Sequence, residues 1–311
     1  MLTVDSHFEI GTMHQICEDY ALHGEWNSNT LGRVVWGIVC DGCSGSQNTD
    51  IGARILAHRA NAQINGIVDR WPEALTEELC PLPLTIAHLM QDRYHDAESS
   101  DVIGDIVKSI GLKRECLDST LWIVIGIDKG DGKPQYKVIG WGDGEIVIKQ
   151  KNSAHPMGIV CFDFPSGAPY YFSYRDDPSR AKQYATQFGT EFRQDVIIYN
   201  KSGETNIVSR PMEYDKPVYI TYSYDQLSPI ESISVFTDGV KTYNCNNDDP
   251  CYGSLEWGSR RLTDLQSTEG VFLQRRMKAL SRRDAKNGIK HHDDLGGAMI
   301  LNLEKTVDES R

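Results

Sequence analysis

Arg33-Val34-Val35-Trp36-Gly37-Ile38-Val39-Cys40 is a β-branched and aromatic run that stops at Asp41-Gly42-Cys43-Ser44-Gly45. Such residues suit a pleated strand and Asp-Gly suits the turn that ends one, so the stretch sets a carboxylate at a strand tip. The pattern recurs. Ile233-Ser234-Val235-Phe236-Thr237 runs into Asp238-Gly239, while Gln135 to Trp141 and Glu145 to Lys149 flank Gly142-Asp143-Gly144, which predicts a hairpin. Thr120 to Ile127 and Ala298 to Leu303 are further buried-strand candidates, the second entered directly from His291-His292-Asp293-Asp294. From about Thr49 to Val68 the period becomes helical: Ile51, Ile55, Ala62 and Ile64, with Leu56 and Ala60 alongside, can share an apolar stripe, and Asn48 or Thr49 can cap it. Weaker helical patterns cover Pro83 to Ala97, Val102 to Cys116 and Val271 to Lys286. Strands grouped in hairpins, with helices between the groups, predict an α+β fold with a predominantly antiparallel sandwich.

Composition narrows the function classes. The 311 residues carry 44 acidic and 32 basic side chains, a net charge of −12, which weighs against a nucleic-acid binder. An apolar content of 40% without low-complexity blocks excludes a wholly disordered or fibrous chain. The longest apolar stretch, Leu121 to Ile127, is far short of the roughly 20 residues that span a bilayer, and Met1-Leu2-Thr3-Val4-Asp5 does not open a secretory signal. No membrane association and a cytoplasmic location are therefore expected. Eight dispersed cysteines then read as free thiols; Cys40-Asp41-Gly42-Cys43 lacks a second pair at zinc-site spacing.

Asn152 to Glu231 differs in composition, with seven of the twelve prolines and nine of the fourteen tyrosines. It reads as a variable insert, either a strand-and-loop part of the main core or a flap over the site, within a single domain of residues 1–303. Residues 304–311 read as a mobile polar tail. Between Arg275 and Lys290 seven basic residues stand with one acid, Asp284, either as a solvated helix face or as a contact for a phosphoprotein or acidic partner.

Chemistry is carried by acids. Two hard divalent cations held close together need several oxygen ligands on rigid elements. Glu18, Asp19, Asp41, Asp143, Asp238 and Asp293 or Asp294 are the candidates. Singly, each is a turn residue or a surface charge; as a set, they sit at the tips of separate apolar strands.

The order of these motifs resembles the metal-dependent serine/threonine protein phosphatases of type 2C. That family runs through an Arg-x-x-Asn-Glu-Asp-like segment, a strand ending in Asp-Gly, a Ser-Thr strand, a Gly-Asp turn, a second strand ending in Asp-Gly, and a final Asp-Asn or Asp-Asp. Here the matching stretches are His14 to Asp19, Val39 to Gly45, Asp118 to Leu121, Gly140 to Gly144, Ser234 to Gly239 and Asp293 to Gly296. The resemblance implies two packed antiparallel β-sheets flanked by helices, an αββα sandwich, with the metal site in a cleft at one edge. It implies that Asp41 bridges two Mg²⁺ or Mn²⁺ ions, that the Gly42 carbonyl binds one, and that Asp238 with Asp293 holds the other. Glu18 and Asp19 would act through ion-bound water, and Asp143 matches the position that helps hold a third ion. Asp41 and Asp238 are thus the expected catalytic residues, with direct attack by a water between the ions.

Departures from the family pattern are as informative. His14 stands where the family places its phosphate-binding arginine, so one imidazole replaces a bidentate fork. Cys43 stands where animal relatives often place a histidine, leaving the proton donor to the leaving group unassigned, and Gly296 replaces a threonine. The implied partners are a phosphorylated protein substrate and a cognate Ser/Thr kinase or its target. A pseudophosphatase that binds without turnover is the alternative, and a two-metal phosphoesterase of small molecules a third reading.

Overall fold

The computed structural model describes residues 1–45, 49–70, 72–75, 111, 114–151, 156–199, 205–214, 216–223, 230–245 and 257–303. One antiparallel sheet has the order β1 (Leu2–Glu9), β14 (Leu295–Asn302), β11 (Ile230–Phe236), β6 (Gly144–Gln150), β7 (Pro156–Asp163), β8 (Glu191–Tyr199) and β9 (Thr205–Glu213). The other runs β10 (Val218–Tyr222), β5 (Gln135–Trp141), β4 (Leu121–Asp128), β3 (Gly32–Cys40) and β2 (Tyr20–Ser28). A short pair, β12 (Tyr243–Cys245) and β13 (Ile289–His291), stands apart. Helix α1 (Ile51–Arg70) covers the five-stranded sheet, α3 (Trp257–Thr263) and α4 (Phe272–Lys286) cover the seven-stranded one, and α2 (Pro178–Phe188) lies between β7 and β8 in the chain. This is the αββα sandwich expected from the motif order. No helix among the described residues is long and apolar enough to cross a membrane.

Period-two alternation explains why the central strands read as unbroken apolar runs. In β3, Val34, Trp36, Ile38 and Cys40 face α1, whereas Val35 and Val39 face the other sheet. In β4, Leu121, Ile123, Ile125 and Ile127 face the helix, and Trp122 and Val124 point between the sheets. Both faces are buried, so neither tolerates polar residues. On α1 the buried stripe is Gly52, Ala53, Leu56, Ala57, Ala60, Ile64, Ile67 and Val68; Ala62 is exposed, and Ile51 and Ile55 pack at the margin on Cys116 and Leu117. The Thr49 hydroxyl accepts from the Ile51 N–H at 3.3 Å at the helix start.

The expected Gly142-Asp143-Gly144 hairpin is corrected. β5 pairs with β4 and β10, β6 pairs with β11 and β7, and the turn carries the chain from one sheet to the other. Asp-Gly chemistry specifies a reversal but not which strand receives the returning chain. Here the Trp122 ring fills the corner: a Cβ on Gly140 or Gly144 would lie 2.3 or 2.4 Å from its atoms.

In the proline- and tyrosine-rich stretch, β7, β8 and β9 extend the seven-stranded sheet and β10 edges the other. Its Tyr170, Tyr184 and Phe192 belong to the core between the sheets, with Tyr174 and Tyr214 packed against them. The Pro83 to Ala97 pattern, most of Val102 to Cys116 and the tail lie outside the described residues; Arg114–Leu117 forms one 3₁₀ turn. The five cysteines whose side chains are described are free.

Candidate active site

The acidic strand tips converge at one end of the sandwich. Asp41 leaves β3 and is pinned to the start of β4: its N–H donates to Thr120 Oγ1 at 3.1 Å, and its carbonyl accepts from the Ser119 hydroxyl at 2.7 Å and the Thr120 N–H at 2.9 Å. Gly42 bridges to Ser119 and lies so close to the preceding segment that a Cβ would be 2.7 Å from the Glu18 carbonyl oxygen. Asp238 opens a 3₁₀ turn at the end of β11, where Gly239 leaves a Cβ only 1.7 Å from the Asp294 carbonyl. In two of the Asp-Gly pairs the glycine thus permits backbone contact between segments.

Electrostatics give the cluster its character. The Asp41 carboxyl is held well above its ordinary range by burial and by the charges of Asp19, Asp238 and Asp143. Burial likewise raises Asp19, against hydrogen bonds from Thr237 and with Asp41, and raises Asp143, to which Asp238 adds. Asp238 is pushed up to about 6 by burial and the nearby Asp293 charge. Carboxylates from four separate segments therefore repel one another. Lys241 supplies a fixed counter-charge; its ammonium is 2.6 Å from Asp163 and lowers both Asp143 and Asp238.

The two final acids have different surroundings. Asp294 is buried and accepts from the N–H groups of Gly11 at 2.7 Å and Glu18 at 2.5 Å, which fastens the 11–18 segment to the entry of β14. Asp293 is 42% exposed at its side chain and within charge range of Asp238. His14 stands among acids, with Nε2 at 3.0 Å from Asp293 and Nδ1 at 3.4 Å from both Glu18 and Asp294. Both ring nitrogens are turned to carboxylates rather than to open cleft. His14, Glu18 and Asp294 each offer a ligand atom within 4.8 Å of the others.

Asp19, Asp41, Asp143, Asp238 and Asp293 thus share one electrostatic cluster, while Glu18 and His14 lie on its Asp294 side. Several participants escaped the sequence reading. Thr237 donates to Asp19 Oδ2 at 2.7 Å and accepts from the Gly296 N–H at 2.8 Å; its place directly before Asp238 was the available signal. Tyr171 hydrogen-bonds Cys43, beside the Asp41 turn, and nothing local marks it among fourteen tyrosines.

Over nearly their whole lengths, the sandwich superposes on solved bacterial enzymes. A bacterial serine phosphatase bearing an arginine-to-lysine mutation matches with a TM-score of 0.52 and 13% identity, covering 99% of this chain and 100% of that one. The bacterial serine phosphatase without that mutation gives 0.51 and 12%, with the same coverage. The chain has the bacterial type 2C serine phosphatase fold. A serine/threonine phosphatase of Staphylococcus aureus gives a TM-score of 0.48 at 12% identity, over 98% of this chain and 96% of that one. No family profile and no curated protein matches the sequence. Within this phosphatase fold, the acidic cluster lies at the ends of β3 and β11 and the entry of β14.

Proposed function

We propose that the protein is a metal-dependent phosphomonoester hydrolase that removes phosphate from Ser or Thr side chains of proteins. The observation that carries this reading is the set Asp19, Asp41, Asp143 and Asp238, delivered from four segments into mutual charge range. Such repulsion costs stability unless cations offset it, and an all-carboxylate set fits hard Mg²⁺ or Mn²⁺. Asp41 with the Gly42 carbonyl, and Asp238 with Asp293, would hold two ions, Asp143 a third, and Glu18 and Asp19 would act at one remove. Bound divalent ions supply positive charge that acidifies water and offsets the phosphoryl oxygens.

The chain's own residues prepare that chemistry. Ser119 and Thr120 fix the Asp41 backbone, Thr237 fixes one oxygen of Asp19, and Lys241 reduces the repulsion around Asp143 and Asp238. Burial and the charges of Asp118 and Glu18 push the Cys43 thiol up despite the Tyr171 hydrogen bond, so it does not offer a thiolate nucleophile. Direct attack by water fits these surroundings. A cytoplasmic enzyme working opposite a Ser/Thr kinase follows from the same reading.

A second reading, a module that binds without turnover, draws support from His14, whose nitrogens face carboxylates where a phosphate contact was expected. The decisive experiment is hydrolysis of an aryl phosphate and then of phosphopeptides with Mn²⁺, with calorimetric metal uptake alongside. Turnover lost in Asp41→Asn and Asp238→Asn supports the hydrolase; Mn²⁺ uptake without turnover supports the binding module. A uniform preference for small esters over phosphopeptides overturns the protein-substrate assignment.

A further inference from the structure

On the seven-stranded side, a groove of about 610 Å³ lies between the end of β1, helix α4 and β13. Phe8, Ile10, Tyr243 and Ile289 give it apolar lining, and Lys278, Arg282 and Lys290 stand exposed around it. Its charges are unevenly satisfied. Of its acids, Asp284 is buried and clamped by Arg261 at 2.5 and 3.0 Å, and Glu9 is bonded by Ser281 and faces His7 at 3.6 Å. By contrast, Lys278, Arg282 and Lys290 make no ion pair among the described residues. In a chain of net charge −12, three uncommitted cations around one apolar groove form a local inversion of sign. The basic run noted in the sequence is therefore divided: Arg276 is buried and donates to the Arg261 carbonyl at 2.6 Å, whereas these three line the groove.

The apolar character continues beyond the groove. Ile10 is 46% exposed, and Met13 and Ile16 follow in the same segment at 76% and 46%. That segment is tied to β13 and its exit by Thr12 N–H to His291 O at 3.1 Å and Met13 N–H to His292 O at 3.0 Å. The groove wall formed by the 10–13 segment and β13 is consequently fixed by backbone hydrogen bonds.

We propose that this groove docks a partner protein through an acidic segment carrying an apolar side chain. The apolar side chain occupies the floor beside Ile10 and Ile289, and flanking carboxylates pair with Lys278, Arg282 and Lys290. Charge complementarity selects this occupant: a basic peptide meets three cations, and nucleic acid meets the repulsion of the remaining acidic surface. The assignment is independent of the hydrolase reading, since none of these residues belongs to the acidic cluster.

The test is fluorescence anisotropy of the full chain with a short fluorescein-labelled peptide, Leu-Phe flanked on both sides by Glu and Asp. Two control peptides replace the acids by Gln and Asn, or Leu-Phe by Ser-Ser. The acidic apolar peptide is expected to bind, with affinity falling as salt is raised, and both control peptides to bind more weakly. Lys278→Glu/Arg282→Glu/Lys290→Glu should weaken it roughly tenfold or more. Lys129→Glu/Lys133→Glu/Lys182→Glu, which alters net charge equally at exposed positions away from the groove, should leave it unchanged. Ile10→Ser should weaken binding without altering its salt dependence. Equal weakening by the two triple variants, equal binding of the neutral peptide, or no binding by the wild type overturns the proposal; thermal unfolding confirms that each variant is folded.

Discussion

Trp122 Nε1 donates to the Asp143 carbonyl oxygen at 2.6 Å, so a wholly buried indole between the sheets holds the turn bearing a site carboxylate. The same ring lies 4.6 Å from Phe162 and limits what fits at Gly144, where φ is +151°. Trp122→Phe retains much of the packing but leaves that carbonyl without its donor. A loss of about 1–3 kcal/mol in urea unfolding is expected, together with weaker Mn²⁺ uptake by calorimetry. Reduced stability with unaltered uptake would show that the indole does not position the turn for the ions.

Gly239 packs the Asp238 turn against the strand entry that carries Asp293 and Asp294. A Cβ there would meet the Asp294 carbonyl oxygen at 1.7 Å and its carbon at 2.7 Å, so Gly239→Ala must part the two segments. Stability should fall by more than about 2 kcal/mol, with metal uptake lost in variant that remains folded. Gly66→Ala is the contrasting substitution: it lies in α1 with no atom within 4 Å of the added carbon and should stabilise by about 0.5–1 kcal/mol. If both substitutions behave alike, close packing at Gly239 is not what joins Asp238 to Asp293.

These two positions also show what the sequence makes legible. The unbroken apolar, β-branched and aromatic runs of β3 and β4, and the Asp-Gly stops after β3 and β11, are local signals, and the sandwich and the carboxylate-bearing tips follow from them. The partner of each strand is not local. Gly142-Asp143-Gly144 carries a hairpin signature, yet Trp122, about twenty residues away in sequence, occupies the corner around which the chain changes sheets. Asp293 and Asp294 are adjacent and chemically identical, and only the Gly11 and Glu18 N–H groups distinguish the buried anchor from the acid near Asp238. Strand membership of 156–222 was obscured in the same way, because prolines and tyrosines suit loops, edge strands and cores alike.

Glu9 gives the fold a defined acid response. Burial alone would raise its carboxyl, but the nearby His7 imidazole at 3.6 Å, the Ser281 hydrogen bond and the charge of His291 hold it below its ordinary value of 4.5. The folded state then binds this proton less tightly than the unfolded chain, so the stabilisation is present above 4.5 and disappears as pH falls through the lower folded value. Glu9→Gln should therefore be less stable than wild type near pH ~5.5, with the gap narrowing toward pH ~3. Denaturant unfolding of both proteins across this range measures it, and a constant gap would assign the Glu9 effect to neutral packing.

Asp118 joins the tyrosine-rich stretch to the Asp41 turn. Its buried carboxylate accepts from Arg180 at 2.9 and 2.5 Å and from the Ser173 hydroxyl at 2.5 Å, while its carbonyl accepts from the Cys43 N–H at 3.1 Å. Phe172 N–H to Ser119 O at 3.2 Å fastens the same segment, which brings Tyr171 to Cys43. Arg180→Ala leaves a buried carboxylate with only a hydroxyl partner and should cost about 3 kcal/mol. Asp118→Asn/Arg180→Ala should recover part of that loss, because no charge then remains unpaired; a double-mutant cycle reads the coupling. If the segment shapes the cleft above Asp41, Arg180→Ala should also raise KM for phosphopeptides more than for an aryl phosphate, whereas equal changes would confine the clamp to a structural role.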